Sequence, residues 1–378
     1  MSIALTGITW EHARGHGSVA AAALAYRDVA PGVEVRWEQR SLQAFADQPL
    51  EDLVARYDLL VIDHPHIPHA AESGLFAPLD GAGHDDELAT LASQSVGASH
   101  ATYAYAGRQW ALATDAAAQV SAFRPDLLAQ APADWAEVLE LAASGRVVWP
   151  YKPVDAFSSL VTVASGHGEE PMRTPGVFLS AEGLERAMAI LRALAALVPA
   201  ECATWNPIQA ADALSDGDRF AYAPLLFGYS NYSRAGFRAH RLRYVDIPVA
   251  PRGVAGSLLG GAGIAVSSRS AHRAEAVAHA FWLASATVQR GAYYDGGGQP
   301  GNAVAWEDDR VNADSLDFFR GTRATLEGAY VRPRSTRYIG LQNEASPLVT
   351  EALQGRWTDG ELRVRLDALA AERLGADA

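Results

Sequence analysis

The chain has 378 residues, of which 49% are hydrophobic and 20% are charged, a composition typical of a folded globular protein. Its 44 acidic residues outnumber its 31 Lys and Arg residues and give a formal net charge of −13. Binding to phosphate backbones needs a basic surface, so this balance argues against a nucleic-acid partner. The length predicts more than one hydrophobic core.

Three further features limit the function classes. The single Cys202 cannot form an internal disulfide, and we interpret it as a small buried hydrophobic residue. Apolar runs such as residues 20–26 and 193–198 are far shorter than the roughly 18 residues of a membrane span, so no membrane insertion is expected. Met1 leads directly into a strand-like run without a signal-peptide pattern. The location stays open: extracytoplasmic if a signal was removed, cytoplasmic if Met1 is the native start.

The first hundred residues alternate between strand-like and helix-like segments, which predicts helices packed on a largely parallel sheet. The predicted strands are 3–10, 33–40 and 59–62, and the predicted helices are 18–29 and 42–56. Sheets of this kind bind ligands beyond the carboxyl ends of their strands. The segments 9–14 and 63–66 are therefore the first places to search for a site.

The rest of the chain continues the mixed pattern. A long extended run at 109–123 is suited to crossing between two bodies, and the region 293–301 is a turn-rich, Gly-rich loop. Further helices are predicted from Trp135 and over 184–198, 272–287 and 361–374. Further strands are predicted over 146–149, 219–224 and 244–248. Residues 151–153 are predicted to form a loop, and residues 252–267 a Gly-rich return segment.

Four stretches resemble the extracellular solute-binding protein family of ABC importers, in particular the larger group that contains maltose- and other sugar-binding receptors. They are residues 57–80, 105–127, 246–266 and 282–303. The resemblance implies an α/β, two-lobed periplasmic-binding-protein-like fold (type II), with discontinuous lobes joined by hinge crossings. The implied lobes are 1–110 plus 251–308 and 111–250 plus 309–378, with a ligand cleft between them.

Polar residues in the predicted first lobe are the first site candidates. Trp10 offers a flat apolar face, His12 offers donors, and Arg14 is suited to a two-pronged contact with a carboxylate or phosphate. The resemblance implies that Asp63 and His64 lie on a ligand-facing turn, and that Asp115 on the crossing strand faces the cleft. Each also has a plain structural interpretation, as core, cap or surface.

The predicted second lobe offers aromatic candidates. Trp149 and Tyr151 end a predicted strand, and Phe227, Tyr229 and Asn231 lie in one aromatic loop. Aromatic faces stack on the C–H surfaces of sugar rings, while phenol and amide groups orient hydroxyls. The alternative for each ring is ordinary core packing.

Two Gly-rich segments complete the list of candidates. Gly261 and Gln299 lie in segments that lack the Lys and the spacing of a phosphate-binding loop. We expect close backbone approach at Gly261, either to a ligand or between lobes, and hydrogen bonding by the amide of Gln299.

Neither a catalytic motif nor a cofactor signature is present, so no enzyme activity and no cofactor are expected. His12, His64 and His66 suggest a metal-binding receptor as a minor hypothesis, but they lie in irregular segments, so no metal is assigned.

The leading hypothesis is a monomeric solute-binding protein that delivers a sugar, a polyol or a small carboxylate to an ABC permease. The alternative is a cytoplasmic relative of the same fold that acts as a metabolite sensor, carrier or enzyme.

Overall fold

The computed structural model describes residues 2–375 and divides into two compact units. The first unit comprises Met1–Ala117 and Gly260–Ala313, and the second comprises Ala118–Leu259 and Asp314–Ala378. The break between Ala117 and Ala118 falls inside the strand Ala111–Phe123, and the break between Leu259 and Gly260 falls inside the strand Leu259–Val266. The expectation about Met1 as the native start concerns a residue outside the described range.

Nine strands are present in the described part of the chain. In chain order they are β1 (Ile3–Trp10), β2 (Val33–Arg40), β3 (Leu59–Ile62), β4 (Ala104–Tyr105), β5 (Arg108–Gln109), β6 (Ala111–Phe123), β7 (Tyr222–Phe227), β8 (Arg243–Val245) and β9 (Leu259–Val266).

Sixteen α-helices accompany them in the described residues. They are α1 (Ser18–Val29), α2 (Leu42–Asp47), α3 (Leu50–Val54), α4 (Ile67–Glu72), α5 (Asp85–Ser93), α6 (Trp135–Ala143), α7 (Pro153–Gly166), α8 (Ala181–Leu197), α9 (Pro207–Asp216), α10 (Arg273–Ala284), α11 (Ala286–Val288), α12 (Ala303–Glu307), α13 (Asp309–Asp314), α14 (Phe318–Glu327), α15 (Tyr338–Leu353) and α16 (Asp359–Leu374). None of the helices described between residues 2 and 375 is long and apolar enough to cross a membrane.

The first unit is built on a sheet in which the strands follow the order β2, β1, β3, β9 and the first part of β6. β1 pairs in parallel with β2 and β3, and β9 runs antiparallel to β3. All four residues of β3 are buried because both faces of the sheet are covered. Leu59 and Val61 belong to one hydrophobic cluster, whereas Leu60 and Ile62 belong to the other, as the two-residue period of a strand requires.

The second unit pairs the later part of β6 antiparallel with β7 and β8 and surrounds these strands with helices. Helix α7 lies at the centre of this unit, packs against α8 and α15, and buries every residue from Asp155 to Gly166. The sequence pattern does not predict this helix, because its apolar residues do not form one stripe.

Several predicted elements differ from the observed ones. The predicted helix 42–56 is two short helices, because Pro49 breaks it at the N-cap of α3. The predicted strand 146–149 is wrong: only Val147 forms an isolated bridge, with Tyr222. The predicted loop 151–153 is shorter, because Pro153 already begins α7.

Candidate functional site

The carboxyl ends of two parallel strands define the candidate site in the first unit. β1 ends at Trp10 and β3 ends at Ile62, and the two strands run in the same direction as neighbours. The loops that follow therefore leave the sheet at one edge, where α/β sheets commonly bind ligands. Arg14 and Asp63 lie in these two loops.

A buried ion pair joins the first loop to β6. Arg14 donates from Nε to Asp115 Oδ2 at 2.7 Å and from Nη2 to Asp115 Oδ1 at 2.5 Å. The two side chains are 5% and 1% exposed. The fork of the guanidinium matches the carboxylate, a geometry that gives strong, directional hydrogen bonds. The pair therefore fixes the first loop against the crossing strand.

Asp63 lies close enough to this pair to act on it electrostatically. Burial raises the pKa of Asp115, the Arg14 guanidinium opposes that rise, and the charge of Asp63 adds to it. Asp63 also caps the short 3-10 helix His64–His66, because its Oδ1 accepts from the backbone N–H of His64 at 2.8 Å. The structure thus brings together Arg14, Asp63 and Asp115.

Tyr293 is a residue of this group that the sequence analysis did not single out. Burial and the charge of Asp115 raise the pKa of its phenol, while the Ser18 hydroxyl, the charge of Arg14 and the Thr114 hydroxyl oppose that rise. Its position at the start of the Gly-rich loop was a signal, but only the fold brings it to the ion pair.

Both histidine candidates, His64 and His12, make contacts that give them a structural role. The ring of His64 is 2% exposed and meets Tyr103 edge-on, with 6.4 Å between the ring centroids. His12 caps the π-helix Ala13–Gly17, and its Nδ1 accepts from the backbone N–H of Arg14 at 3.0 Å. His12 therefore helps to shape the backbone that presents Arg14.

Trp10 lies in the hydrophobic core of the first unit and is only 4% exposed. Its ring packs against Phe45 at a centroid distance of 5.0 Å, and a Cβ added at Gly15 would meet the indole at 2.5 Å. This position supports the core interpretation of Trp10, so we do not include it in the proposed ligand contacts.

Gly261 and Gln299 both lie against the strand that carries Asp115. Gly261 has a φ of +118°, and a Cβ at this position would lie 2.4 Å from the carbonyl oxygen of Asp115. Only glycine fits such an approach. Gln299 donates from Nε2 to the carbonyl of Ala116 at 2.9 Å and is 1% exposed. Both residues therefore support the backbone around the ion pair.

In the second unit, Trp149 and Tyr151 form a stacked aromatic pair with 4.9 Å between ring centroids. Trp149 is fully buried and donates from Nε1 to Ser159 Oγ at 3.1 Å. Tyr151 is 7% exposed. Trp149 therefore packs against the ring of Tyr151, and both faces of its own indole are covered.

The three candidate residues at the end of β7 and in the aromatic loop that follows differ in how far they are exposed. Phe227 is half-buried at the end of β7, whereas Tyr229 is 7% exposed. Asn231 is 1% exposed and lies in the 3-10 helix Ser230–Ser233. Among these three residues, only Phe227 is less than fully buried by this measure, and it is the most accessible of the three.

Asp155 is a second site candidate that sequence reasoning missed. It lies in the first turn of α7, is 4% exposed, and its Oδ2 has no hydrogen-bond partner among the described residues. Burial raises its pKa to about 7, against an opposing effect of Lys152. A buried carboxyl group without a full set of partners is a candidate to receive a ligand hydroxyl.

A metal centre receives no support from the described residues. Across residues 2–375, no group of three or more His, Cys, Asp or Glu side chains is placed to hold a metal ion.

Comparison with known proteins identifies the fold. The chain resembles the maltose-bound MalE3 of T. maritima (TM-score 0.83, 16% identity, 98% of this chain and 99% of that chain). It also resembles the GacH receptor of Streptomyces glaucescens, solved unliganded and with acarbose (TM-score 0.81, 17% identity, 99% of both chains). A third similar structure is a ribitol complex of an ABC transporter solute-binding protein from Agrobacterium radiobacter (TM-score 0.79, 18% identity, 98% of both chains).

These similarities confirm the predicted periplasmic-binding-protein-like α/β fold. Comparison with curated protein sequences gives no match. The family model described as "Bacterial extracellular solute-binding protein" matches residues 25–318, which is more than half of the chain. The chain therefore belongs to the bacterial extracellular solute-binding protein family.

Proposed function

We propose that this protein captures an uncharged polar solute, a sugar or polyol, and delivers it as a monomer to the permease of an ABC-type importer. Family membership supports solute binding. Similar structures support the ligand class, since they were solved with maltose, acarbose and ribitol bound.

The ion pair between Arg14 and Asp115 is the observation that carries the choice of ligand. Arg14 already donates from both Nε and Nη2 to Asp115. A carboxylate solute would have to compete with Asp115 for the same guanidinium, and it would also meet the charge of Asp63. Two carboxylates around one guanidinium disfavour an anion. A sugar hydroxyl meets no such repulsion and can donate to a carboxylate.

Asp63 is the proposed direct contact in the first unit. It is half-buried and follows β3 at the ligand-binding edge of the sheet. In the second unit, Phe227 and Asp155 are the proposed contacts: Phe227 is a half-buried aromatic residue, and Asp155 has a carboxyl oxygen without a partner among the described residues. Tyr151, Tyr229 and Asn231 are proposed to orient these contacts.

The proposal is tested by thermal unfolding with maltose, ribitol and citrate, followed by calorimetry with the best ligand. A ligand that binds only the folded protein raises the melting temperature with increasing concentration. We expect maltose or ribitol to do so and citrate to have no effect. Stabilisation by citrate alone would contradict the proposal, as would recovery of a chemically altered sugar.

The variant Asp63→Asn tests the site assignment. Asn caps helices as well as Asp does, so the short helix after β3 is retained while the charge is lost. We expect sugar affinity to fall about tenfold, the effect of losing a charged hydrogen-bond acceptor. The control Asp28→Asn makes the same change at an exposed position of α1 and should bind like the wild type. Light scattering tests the proposal that the protein is a monomer in solution.

A further inference from the structure

Helix α7 carries a polar stripe although the helix is buried on all sides. Asp155, Ser159 and Thr162 are 4%, 0% and 1% exposed, and they lie at positions i, i+4 and i+7. This spacing places the three side chains on one face of α7. Buried polar groups lower stability unless they are hydrogen-bonded, so the partners of this stripe show which groups it holds in place.

The hydroxyl of Ser159 connects two neighbouring segments to α7. Its Oγ accepts one hydrogen bond from Trp149 Nε1 and one from Gln119 Nε2, both at 3.1 Å. Trp149 and Gln119 are 0% and 1% exposed, so neither donor can turn to water instead. Loss of this hydroxyl would remove the acceptor of two buried N–H groups, which is unfavourable.

Gln119 is itself held by further hydrogen bonds. Its Oε1 accepts from Thr162 Oγ1 at 2.7 Å, and its backbone carbonyl accepts from Ser257 Oγ at 2.6 Å. It also pairs with Phe227 where β6 and β7 run side by side. The side-chain amide has a fixed orientation because both of its ends are hydrogen-bonded. Ser159 therefore receives a donor with a fixed position relative to Phe227.

The indole of Trp149 connects Ser159 to a residue of the proposed solute site. The ring of Trp149 stacks on that of Tyr151, with 4.9 Å between the centroids and 20° between the ring planes. The hydrogen bond from Nε1 to Ser159 fixes the orientation of the indole. Building on the proposed function, in which Tyr151 orients the solute contacts, we propose that Ser159 is a positioning residue. Ser159 fixes Trp149, and Trp149 fixes the ring of Tyr151.

The location of Asp155 makes this arrangement relevant to the solute. Asp155 lies one helical turn before Ser159 on the same face of α7, and its Oδ2 has no hydrogen-bond partner among the described residues. Because Tyr151 is fixed through Ser159, an aromatic ring and a carboxyl oxygen are both anchored to one helix. Groups that are ordered before a solute arrives reduce the entropy cost of binding.

Nuclear magnetic resonance without a ligand tests the structural step. In the full chain labelled with ¹⁵N-tryptophan and ¹³C-tyrosine, Ser159→Ala should shift the indole N–H signal of Trp149 and the ring signals of Tyr151. The variants Trp149→Phe and Tyr151→Phe assign these signals. Ser159→Cys, which has a weaker acceptor of similar size, should shift the same signals and replaces the Ala variant if that variant does not fold.

The matched control is Ser158→Ala, which removes a hydroxyl from the preceding position of α7. Ser158 is 3% exposed, and its Oγ donates to the carbonyl of Val154 at 2.8 Å. Because this bond stays within the helix, the control should leave the signals of Trp149 and Tyr151 in place. Tyr151 signals that do not respond to either Ser159 variant would overturn the proposal.

Calorimetry with maltose or ribitol, whichever stabilises the wild type more, tests the effect on binding. We expect Ser159→Ala to weaken affinity about tenfold and Ser158→Ala to bind like the wild type. In a Tyr151→Ala background, Ser159→Ala should have no further effect on affinity, although it should still lower stability in urea.

Two calorimetric outcomes would contradict the role of Ser159. An unchanged affinity of Ser159→Ala would show that the position of Tyr151 does not depend on this hydroxyl. An equal loss with and without the Tyr151 ring would show that Ser159 acts on binding by another route. Failure of both sugars to bind the wild type would contradict the proposed function instead, and the spectra without a ligand would still decide the role of Ser159.

Discussion

Two aspartates, one in each unit, are buried, but their surroundings offset the free-energy cost of burial to different extents. Asp115 is 1% exposed and receives two hydrogen bonds from Arg14. Asp155 is 4% exposed, but its Oδ2 has no hydrogen-bond partner among the described residues. Burial alone therefore does not distinguish a structural carboxylate from one available to a ligand; the partners do.

The difference in hydrogen-bond partners between Asp115 and Asp155 affects the stability of the fold. A buried carboxylate with a guanidinium partner is stabilised only as long as both partners remain. A buried carboxyl group without a full set of partners lowers stability, and a ligand that donates to it recovers part of that loss. The first arrangement suits a scaffold, and the second suits a contact that a ligand completes.

The largest effect should come from Asp115→Asn. This change leaves the Arg14 guanidinium buried without its counter-charge, so we expect the free energy of unfolding to fall by about 3 to 5 kcal/mol. Urea unfolding followed by circular dichroism measures the change. The double variant Arg14→Met, Asp115→Leu should recover most of the loss, because neither charge remains buried. Equal losses in the single and double variants would contradict a scaffold role for the pair.

At alkaline pH, Asp155→Asn should raise the free energy of unfolding instead of lowering it. The pKa of Asp155 is raised from 3.8 to about 7, so the fold favours the protonated carboxyl, and this contribution is lost as pH rises through 7. The variant should therefore be more stable than the wild type at pH 8, by about 2 to 4 kcal/mol, and the difference should vanish near pH 4. Urea unfolding at both pH values tests this, and Asp28→Asn, exposed on α1, serves as the control.

His279 should give a smaller, acid-dependent effect in the first unit. Its ring is fully buried on α10, both nitrogens lack partners among the described residues, and burial lowers its pKa to about 3. The neutral ring is favoured in the fold, so stability is present above the unfolded pKa of about 6.5 and is lost as pH falls towards 3.

The comparison that isolates this effect is His279→Phe against the wild type. At pH 5 the titration of His279 should cost the wild type about 2 kcal/mol relative to pH 8, and the Phe variant should lack this part of the acid sensitivity. Phe retains a ring beside Tyr26, whose centroid lies 4.6 Å from that of His279. Parallel pH profiles for the two proteins would show that another group causes the acid sensitivity.

The sequence predicted the strands of the first unit better than it predicted the side-chain contacts at their carboxyl ends. The strands β1, β2 and β3 have the predicted bounds, because alternating or continuous apolar runs between turn residues identify them. Their order in the chain led to Arg14 and Asp63 as candidates. The pairing of Arg14 with Asp115 was not predictable, since the two residues are 101 positions apart and only the packed fold brings them together.

The second unit was harder to predict because its central helix is buried on all sides. Without an amphipathic stripe, α7 was missed, and with it the position of Asp155 in the first turn. Trp149 was a candidate because aromatic residues bind sugars, yet it is fully buried behind Tyr151. An aromatic residue at a predicted strand end does not reveal whether its face is covered.

The central claim is that Arg14 and Asp115 form a permanent scaffold and that the solute is an uncharged sugar or polyol. A crystal structure with the most stabilising sugar tests it most directly. We expect a sugar hydroxyl within hydrogen-bond distance of Asp63, with both hydrogen bonds between Arg14 and Asp115 retained. A bound molecule that takes Arg14 away from Asp115 through its own carboxylate, or a sugar that contacts neither loop of the first unit, would contradict it.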